Sequence, residues 1–400
     1  MKAYVWALAA AMAANFAQAQ GGLTPPGAPA PSMKTLAQIE PRFPIMNLPY
    51  IIWLPGSYYV TDNLILLSNN ISGITVLADN VKIDLNGFLL TGPGTGSGIG
   101  IEQSSQQCNL SIAHGNLSGW HGHAIYAPGR NGRFEVLTVT RNGAGMNVGP
   151  GSLVADCIAS SNSSSSITAG FWGDDSCTFV RCIANYNRST DGPGYGFYGE
   201  SGCTFSDCAA AENTGVAAYG FALGRGCSLS RCAAGTNGTG FSVGNDCRVA
   251  DSIARDNLHD GFLAGSRCMV SGCLLVGNGA GDGLRVASAS IVRDCVSSGN
   301  YEAGIDVTGD NVLVTGCNSS SNRAAGIYVK GHRNRIEGNQ SAQNDWGVYF
   351  DNSSATDHNL ALRNSAFSNG SGNYSAGTGN FIAPVDSSGA FTNASANYSF

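Results

Sequence analysis

The sequence predicts an all-β fold, a single-stranded right-handed parallel β-helix (solenoid) of about 12 coils with about 22 residues per coil, because three patterns share one period. A glycine followed by an apolar residue recurs ten times from Gly145 to Gly347. Seven of the 13 cysteines, between Cys157 and Cys317, are each followed by an asparagine five positions later. Apolar residues alternate over three or four residues only, as in Phe241-Ser242-Val243, which is typical of short strands with one buried side. Three such strands per period, stacked coil upon coil, form a β-helix, whereas propeller repeats are about 40–50 residues long.

The composition is that of a folded chain with few charges. Of 400 residues, 55 are glycine, 43% are hydrophobic and 12% are charged, with a formal net charge of −6. The hydrophobic fraction excludes a disordered chain, and glycine has no three-residue period, which excludes collagen. Only four residues are lysine, so the chain lacks the clustered basic surface that a nucleic-acid partner requires.

The first 19 residues are typical of a secretory signal peptide. Lys2 supplies the positive charge, residues 5–14 form a short apolar run, and Ala17-Gln18-Ala19 is a cleavage site of the A-x-A type. The apolar run is too short to span a bilayer, so we expect a secreted, periplasmic or cell-surface protein without membrane insertion. Residues 20–44, rich in Pro, Gly and Ala, are predicted to be a lead-in. Residues 45–400 are predicted to be the β-helix, with a C-terminal cap from about residue 370.

Several short motifs outside the repeat support a family resemblance. They are Met33-Lys34-Thr35-Leu36, Ile39-Glu40-Pro41-Arg42, Pro55-Gly56-Ser57-Tyr58-Tyr59, Ala78-Asp79-Asn80-Val81-Lys82-Ile83-Asp84-Leu85-Asn86-Gly87, Gly119-Trp120 and Ala396-Asn397-Tyr398-Ser399-Phe400. With these motifs the chain resembles, over nearly all of its mature length, the secreted bacterial parallel β-helix repeat proteins of the pectin-lyase-like fold, a largely uncharacterised family. The wider fold includes pectate lyases, polygalacturonases, alginate epimerases and tailspikes, so the resemblance implies a fold rather than a function. The polygalacturonase pattern and the Asp-Pro-His motif of alginate epimerases do not occur in the sequence, so the resemblance assigns no catalytic residue.

Columns of asparagine and cysteine are predicted to run along the coils. Stacked asparagine amides can hydrogen-bond from coil to coil, and asparagine also tolerates the left-handed turn conformation. The cysteines form one column from Cys177 to Cys268 and another from Cys157 to Cys317. Their parallel Cβ atoms lie farther apart than a disulfide prefers, so we expect buried thiols that fill the core, with a metal site as the less favoured alternative.

The residue before the second cysteine column alternates in charge. Asp156, Arg181, Asp207, Arg231 and Asp251 occupy this position on successive coils. The alternation predicts an outward ladder of ions in which each charge is flanked by opposite charges, a feature that fixes register rather than performs chemistry.

The middle residue of each Gly-Φ-x-Φ strand is predicted to point outwards. Read coil by coil, this row has aromatic residues near both ends, at Tyr126, Trp172, Tyr198, Tyr328 and Tyr349. Exposed rings about one coil apart suit stacking on the apolar C–H faces of sugars, which makes these five the candidate carbohydrate-binding residues. The alternative is that they are present only for their β propensity.

A candidate catalytic site lies on the same row. Asp260, Asp282 and Asp306 are predicted to lie within about 5–10 Å of one another on adjacent coils, beside Arg285. Paired carboxylates can perform acid–base glycoside hydrolysis, and carboxylates with an arginine can hold Ca²⁺ and a uronate, with the arginine as the base of a lyase. Aspartate before glycine is also a common choice in turns, which gives a purely structural alternative.

Two classes of function follow from these patterns. The favoured class is a secreted or cell-surface non-catalytic rod that binds polysaccharide through the aromatic row. The alternative is a polysaccharide lyase or glycoside hydrolase that acts on an acidic glycan, with Ca²⁺ as the cofactor of the lyase.

Overall fold

The structure is a computed structural model that describes residues 40–104, 106–351, 357–375, 377–387 and 394–399. The chain divides into two compact units, residues 1–42 and 43–400, and the second unit carries the fold and the sites described below. The predicted signal peptide and all but the last residues of the predicted lead-in lie outside the described residues. Within the described ranges, no helix has the length and apolar character needed to cross a membrane.

The second unit is a right-handed parallel β-helix whose strands form three long parallel sheets. The first of them, the face sheet, has 15 strands. Its strands are Tyr50–Ile52, Ile74–Val76, Ile101–Gln103, His123–Ala127, Ala144–Val148, Thr168–Gly173, Gly194–Gly199, Ala218–Leu223, Thr239–Val243, Phe262–Ala264, Leu284–Val286, Ile305–Val307, Ala325–Val329, Trp346–Phe350 and Gly372–Ser375. Fifteen strands correspond to about 15 coils, a few more than predicted, because the coils before Asn142 carry neither a cysteine column nor an asparagine column.

The other two sheets share two long strands that turn from one sheet into the other. The second sheet contains Phe43–Ile45, Gly56–Val60, Val81–Asp84, Ser111–Ser118, Arg133–Thr140, Leu153–Ala155, Thr178–Val180, Thr204–Ser206, Ser228–Ser230, Arg248–Ala250, Met269–Ser271, Ile291–Arg293, Leu313–Thr315, Arg335–Glu337, Leu360–Leu362 and Phe381–Ile382. The third contains the shared strands with Leu64–Ile65, Leu89–Thr91, Ile158–Ser160, Ile183–Asn185, Ala209–Ala211, Ala233–Gly235, Ile253–Arg255, Leu274–Val276, Val296–Ser298, Asn318–Ser320, Gln340–Ala342, Ser365–Phe367, Val385–Asp386 and Asn397–Ser399. The longer coils between Gly145 and Gly220 add a separate two-stranded sheet, Ser163–Ser164 with Arg188–Ser189.

The core is built from like residues stacked coil upon coil. Five fully buried phenylalanines follow one another on the face sheet, with ring centroids 4.5–5.0 Å apart. They are Phe171, Phe197, Phe221, Phe241 and Phe262. Because strands in a parallel sheet are about 4.8 Å apart, an unshifted register places each ring directly over the next. The stacking therefore maintains the register that the repeat predicts.

A buried asparagine ladder runs beside this core, as predicted. Each side-chain amide donates a hydrogen bond of 2.8–3.4 Å to the amide oxygen of the next coil, from Asn142 through Asn213 to Asn369. The ladder asparagines are not the left-handed residues of the turn, so that part of the prediction is wrong. The left-handed conformation falls one position earlier, for example at Tyr186 (φ 57°) and Glu212 (φ 54°), because the ladder residue itself turns its amide inwards.

The cysteine columns point into the core, as predicted. Twelve of the 13 cysteines are buried and Cys108 is partly buried, and all 13 are free thiols in the structure. Buried serine continues a column where cysteine is missing, since Ser252 accepts a hydrogen bond from the amide of Cys232. Among the described residues, no group of three or more His, Cys, Asp or Glu side chains is arranged to hold a metal ion.

The outward charges form separate pairs instead of the predicted continuous ladder. Arg181 donates two hydrogen bonds to Asp156, at 2.6 and 2.7 Å, and Arg231 binds Asp207 in the same way. Each arginine occupies both oxygens of the carboxylate on the preceding coil, so the next coil begins a new pair. All four residues have positive φ values of 51–55°, which places them at the corner between the second and third sheets.

Candidate functional site

The outward row predicted from the sequence exists on the face sheet and is in register along its whole length. From Glu102 to Tyr349, each member pairs with the corresponding residue of the next coil. The row is Glu102, Tyr126, Asn147, Trp172, Tyr198, Ala222, Ser242, Leu263, Arg285, Asp306, Tyr328 and Tyr349. It contains three features, which are an aromatic group near each end and an ionic cluster between them.

The tightest aromatic contact on the row joins Trp172 to Tyr198. Their ring centroids are 3.9 Å apart and their planes differ by 28°, so each ring covers one face of the other. Two tyrosines that sequence analysis missed, Tyr195 and Tyr219, extend this aromatic group. The ring centroid of Tyr195 is 5.2 Å from that of Tyr198 and 5.8 Å from that of Tyr219. The rings are therefore stacked along the axis of the β-helix, and only their outer faces and edges remain for a ligand. Each of these two tyrosines precedes a residue of the row by three positions, and this recurring offset could have identified them from the sequence.

The other three candidate aromatic residues lie beside polar side chains. Tyr126 lies 5.4 Å from the imidazole of His123 at a tilt of 49°. At the other end, Tyr328 and Tyr349 meet edge to face at 5.3 Å, and Lys330 covers the Tyr328 ring at 4.5 Å. The Tyr328 hydroxyl donates a hydrogen bond of 3.1 Å to Asp351, and burial together with this carboxylate raises the pKa of Tyr328 to about 12. This end of the row is therefore already occupied by the protein's own cation.

Arg285 brings together the three aspartates of the candidate catalytic site. Its guanidinium donates to Asp282 Oδ2 at 2.8 and 3.1 Å, and it lies 3.5 Å from Asp260 Oδ1 and 3.4 Å from Asp306 Oδ2. Two backbone amides add hydrogen bonds, from Ala303 to Asp282 Oδ1 at 2.9 Å and from Asp282 to Asp260 Oδ1 at 2.8 Å. The structure therefore brings the three carboxylates together around one arginine, as the register predicted.

The same carboxylates are buried. Asp306 is fully buried and Asp282 is 2% exposed, whereas the side chains of Arg285 and Lys330 above them are each 39% exposed. Lys330, which sequence analysis did not include, binds Asp306 Oδ2 at 2.9 Å, and Asp306 Oδ1 has no hydrogen-bond partner in the part of the chain that the structure describes. Asp306 occupies an outward position of its strand but is buried, because the long side chains of Arg285 and Lys330 on the neighbouring coils cover it.

Burial and charge both perturb this cluster. Burial and the neighbouring Asp306 raise the pKa of Asp282 to about 7, against the opposing effect of Arg285. For Arg285, burial lowers the pKa, but Asp260, Asp282 and Asp306 together outweigh burial and raise it. The guanidinium therefore stays charged, and the cluster shares negative charge among carboxylates that solvent does not reach.

A chemically different pair of carboxylates flanks the Trp172–Tyr198 stack. Asp174 and Glu200 follow the strands of these two rings on adjacent coils. Burial raises the pKa of both carboxyl groups, reinforced by Asp175, while a hydrogen bond from the Trp172 side chain lowers that of Asp174. These oxygens are acceptors next to an aromatic surface, an arrangement that suits the hydroxyl groups of a sugar.

Comparison with known proteins gives matches of fold. Residues 244–395 match the family described as right-handed beta helix region. A search of curated protein sequences gives no match.

Among solved structures, a double mutant of the periplasmic alginate epimerase AlgG is 14% identical, with a TM-score of 0.40 over 84% of this chain and 79% of that one. The A-module of the mannuronan C-5 epimerase AlgE4 of Azotobacter vinelandii is 14% identical, with a TM-score of 0.33 over 84% and 83%. A double mutant of the tailspike protein of the Escherichia coli bacteriophage HK620 is 11% identical, with a TM-score of 0.39 over 86% and 71%. The three parallel sheets and the match of residues 244–395 together show that this chain has the fold of a right-handed parallel β-helix.

Proposed function

We propose that the chain is a non-catalytic rod outside the cytoplasm that binds polysaccharide along its face sheet. The observation that carries this proposal is the stack of Trp172 on Tyr198, whose ring centroids are 3.9 Å apart. The two half-buried rings form one aromatic surface, and the pairing of their strands on adjacent coils holds it in register. A sugar ring can stack its apolar C–H face on such aromatic rings, while its hydroxyl groups donate hydrogen bonds to the neighbouring carboxylates of Asp174 and Glu200. The signal-like residues 1–19 support a location outside the cytoplasm.

The character of the ionic cluster also favours binding over catalysis. General acid–base chemistry requires a carboxyl group within hydrogen-bond reach of the substrate. The carboxylates of Asp282 and Asp306 are instead covered by Arg285 and Lys330, which bind them at 2.8–3.4 Å. The cluster joins four adjacent coils and is well suited to a structural role.

The test is affinity electrophoresis of the mature protein through gels that contain neutral or acidic polysaccharides. A wild-type protein that is retarded, and a Trp172→Ala/Tyr198→Ala variant that is not, are the expected results. The loss of one aromatic contact with a bound sugar weakens the free energy of binding by about 1.5–3 kcal/mol. The double variant should therefore bind at least about tenfold more weakly. Tyr186→Ala is the matched control, because Tyr186 is 53% exposed and lies outside the face sheet. Equal retardation of the control, wild type and double variant would contradict the proposed surface.

The catalytic alternative keeps one observation in its favour, the raised pKa of Asp282 beside a second carboxylate. It proposes that Asp260, Asp282, Arg285 and Asp306 act on an acidic glycan as a lyase or hydrolase, with Ca²⁺ for the lyase. The assay follows unsaturated products by ultraviolet absorbance and new reducing ends chemically, with and without Ca²⁺. Products that form with wild type and are lost in Asp282→Ala/Arg285→Ala would favour this alternative over the binding rod.

A further inference from the structure

The coil that contains the strand Ala144–Val148 presents short outward side chains. On the strand Ala144–Val148, the two outward positions are Ala144 and Asn147. The corresponding positions of the preceding coil are His123 and Tyr126. On the following coil, Asn147 pairs with Trp172. The aromatic row is therefore interrupted for one coil between Tyr126 and Trp172.

This interruption leaves one aromatic face open. The face of Trp172 that points towards the C-terminal coils is covered by Tyr198, so its other face points towards Asn147. Tyr126 and Trp172 are two coils apart, about 9.6 Å from an inter-strand spacing of about 4.8 Å. A flat ring about 3.5–4 Å from each wall fits into a gap of that size.

A cavity of about 200 Å³ lies on this interrupted coil, on the side of His123, and Tyr126 is not part of its lining. The longer coil that precedes Trp172 supplies Ile167 at its edge, 49% exposed. The cavity is lined by His123, Ala144, Met146, Asn147, Ile167, Ala169 and Trp172. Two polar groups, the Asn147 amide and the His123 imidazole, thus lie within a largely apolar wall, as is usual for small-molecule sites.

The surroundings of the cavity disfavour an anionic ligand. Burial lowers the pKa of His123, so the imidazole is neutral at pH 7 and the lining carries no charge. The carboxylates that come next along the face are Glu102, which pairs with Tyr126, and Asp174, which directly follows the strand of Trp172. Both would repel a uronate or a sulfated sugar.

We infer that this cavity, between His123 and Trp172, is the subsite that holds one uncharged sugar ring of the bound polysaccharide. The inference rests on the proposed binding function and adds to it the place and the chemical class of the ligand. The ring stacks on the free face of Trp172, the Asn147 amide and His123 imidazole bind its hydroxyl groups, and Ile167 closes its outer side.

A substitution that adds an aromatic ring tests the inference. Asn147→Trp fills the cavity and continues the row, so it removes the subsite while it enlarges the aromatic surface. The strand should tolerate the change, because the next coil has Trp at the same position. Ser242→Trp is the matched control, since Ser242 occupies the same row three coils beyond Trp172. Retardation is measured in gels that contain dextran, xylan or galactomannan as neutral polymers, and alginate or polygalacturonate as acidic ones.

We expect wild type and Ser242→Trp to be retarded by at least one neutral polymer, and Asn147→Trp to bind it at least tenfold more weakly. Undiminished or tighter binding by Asn147→Trp would overturn the subsite and leave the binding function of the row intact. Binding restricted to the acidic polymers would overturn the assignment of an uncharged ligand. Wild-type protein that no polymer retards would overturn the binding function and the subsite together. Equal thermal unfolding midpoints for the three proteins exclude misfolding as the cause.

Discussion

Removal of one rung from the buried asparagine ladder should destabilise the whole coil stack. The Asn213 amide donates to the backbone carbonyl of Ala184 and to the amide oxygen of Asn237, each at 2.9 Å. Its own oxygen accepts from the backbone and side-chain nitrogens of Asn187, at 3.2 and 2.9 Å. Asn213→Ala therefore deletes four hydrogen bonds and leaves the Asn187 N–H buried without that acceptor.

The size of the effect follows from those four bonds. A buried hydrogen bond contributes about 1 kcal/mol net, and an unsatisfied buried donor costs about 1–3 kcal/mol, so the free energy of unfolding should fall by about 3–5 kcal/mol. The entropy of unfolding of a chain of this length is about 0.8 kcal/mol/K, so a loss of that size lowers the thermal midpoint by roughly 4–6 °C. Each coil contacts mainly its two neighbours, so a break in one coil weakens the stack on both sides.

The measurement is thermal unfolding followed by circular dichroism. The control is Asn245→Ala, because Asn245 is exposed and its side chain accepts a single bond of 2.8 Å from the amide of Ser266. Asn245→Ala should lower the midpoint by less than about 2 °C. The reasoning would be refuted if Asn213→Ala lowered the midpoint by no more than the control.

Three further predictions concern the core, the ionic cluster and the thiols. Phe221→Ala should lower the free energy of unfolding by about 3–5 kcal/mol in denaturant titrations, because the ring is fully buried in a stack. The pKa of Asp282 is raised to about 7 in the folded chain, so its contribution to stability should fall as the pH rises from about 4 to about 7. Asp282→Asn should flatten this part of the curve of thermal midpoint against pH, while Asp191→Asn, at an exposed site, should leave it unchanged. A thiol reagent should label at most Cys108 in the native protein and all 13 cysteines after denaturation, and fewer than 13 in denaturant without reductant would indicate disulfides.

Most of the fold could be predicted from the sequence because the β-helix is a one-dimensional repeat. The spacing of Cys182 and Asn187 recurs on coil after coil, and a constant spacing leaves only one register in which like residues stack. The predicted columns and the outward row follow directly from that register. The early coils were harder to count, since the strands of Tyr50–Ile52 and Ile74–Val76 carry no such marker.

The candidate site was predicted only in part, because periodicity gives the position of a side chain but not its rotamer or its cover. Asp306 lies at an outward position of its strand, as predicted, yet it is fully buried. The cause is the length of Lys330, which reaches back by one coil to bind it at 2.9 Å. Likewise, the pairing of Trp172 with Tyr198 was predictable, but the stacking of one ring on the other depends on side-chain torsions that the pattern does not contain.

The same register that stabilises the β-helix restricts where a ligand can bind to it. Side chains of one row are about 4.8 Å apart, close to the contact distance of two aromatic rings, so neighbouring rings of a row cover each other's faces. An unbroken aromatic column, such as the buried one around Phe221, therefore has no free internal face. A face becomes available only where a short side chain interrupts the row, as Asn147 does before Trp172. For this chain, the small residues between the aromatic ones should thus determine binding as much as the aromatic residues themselves.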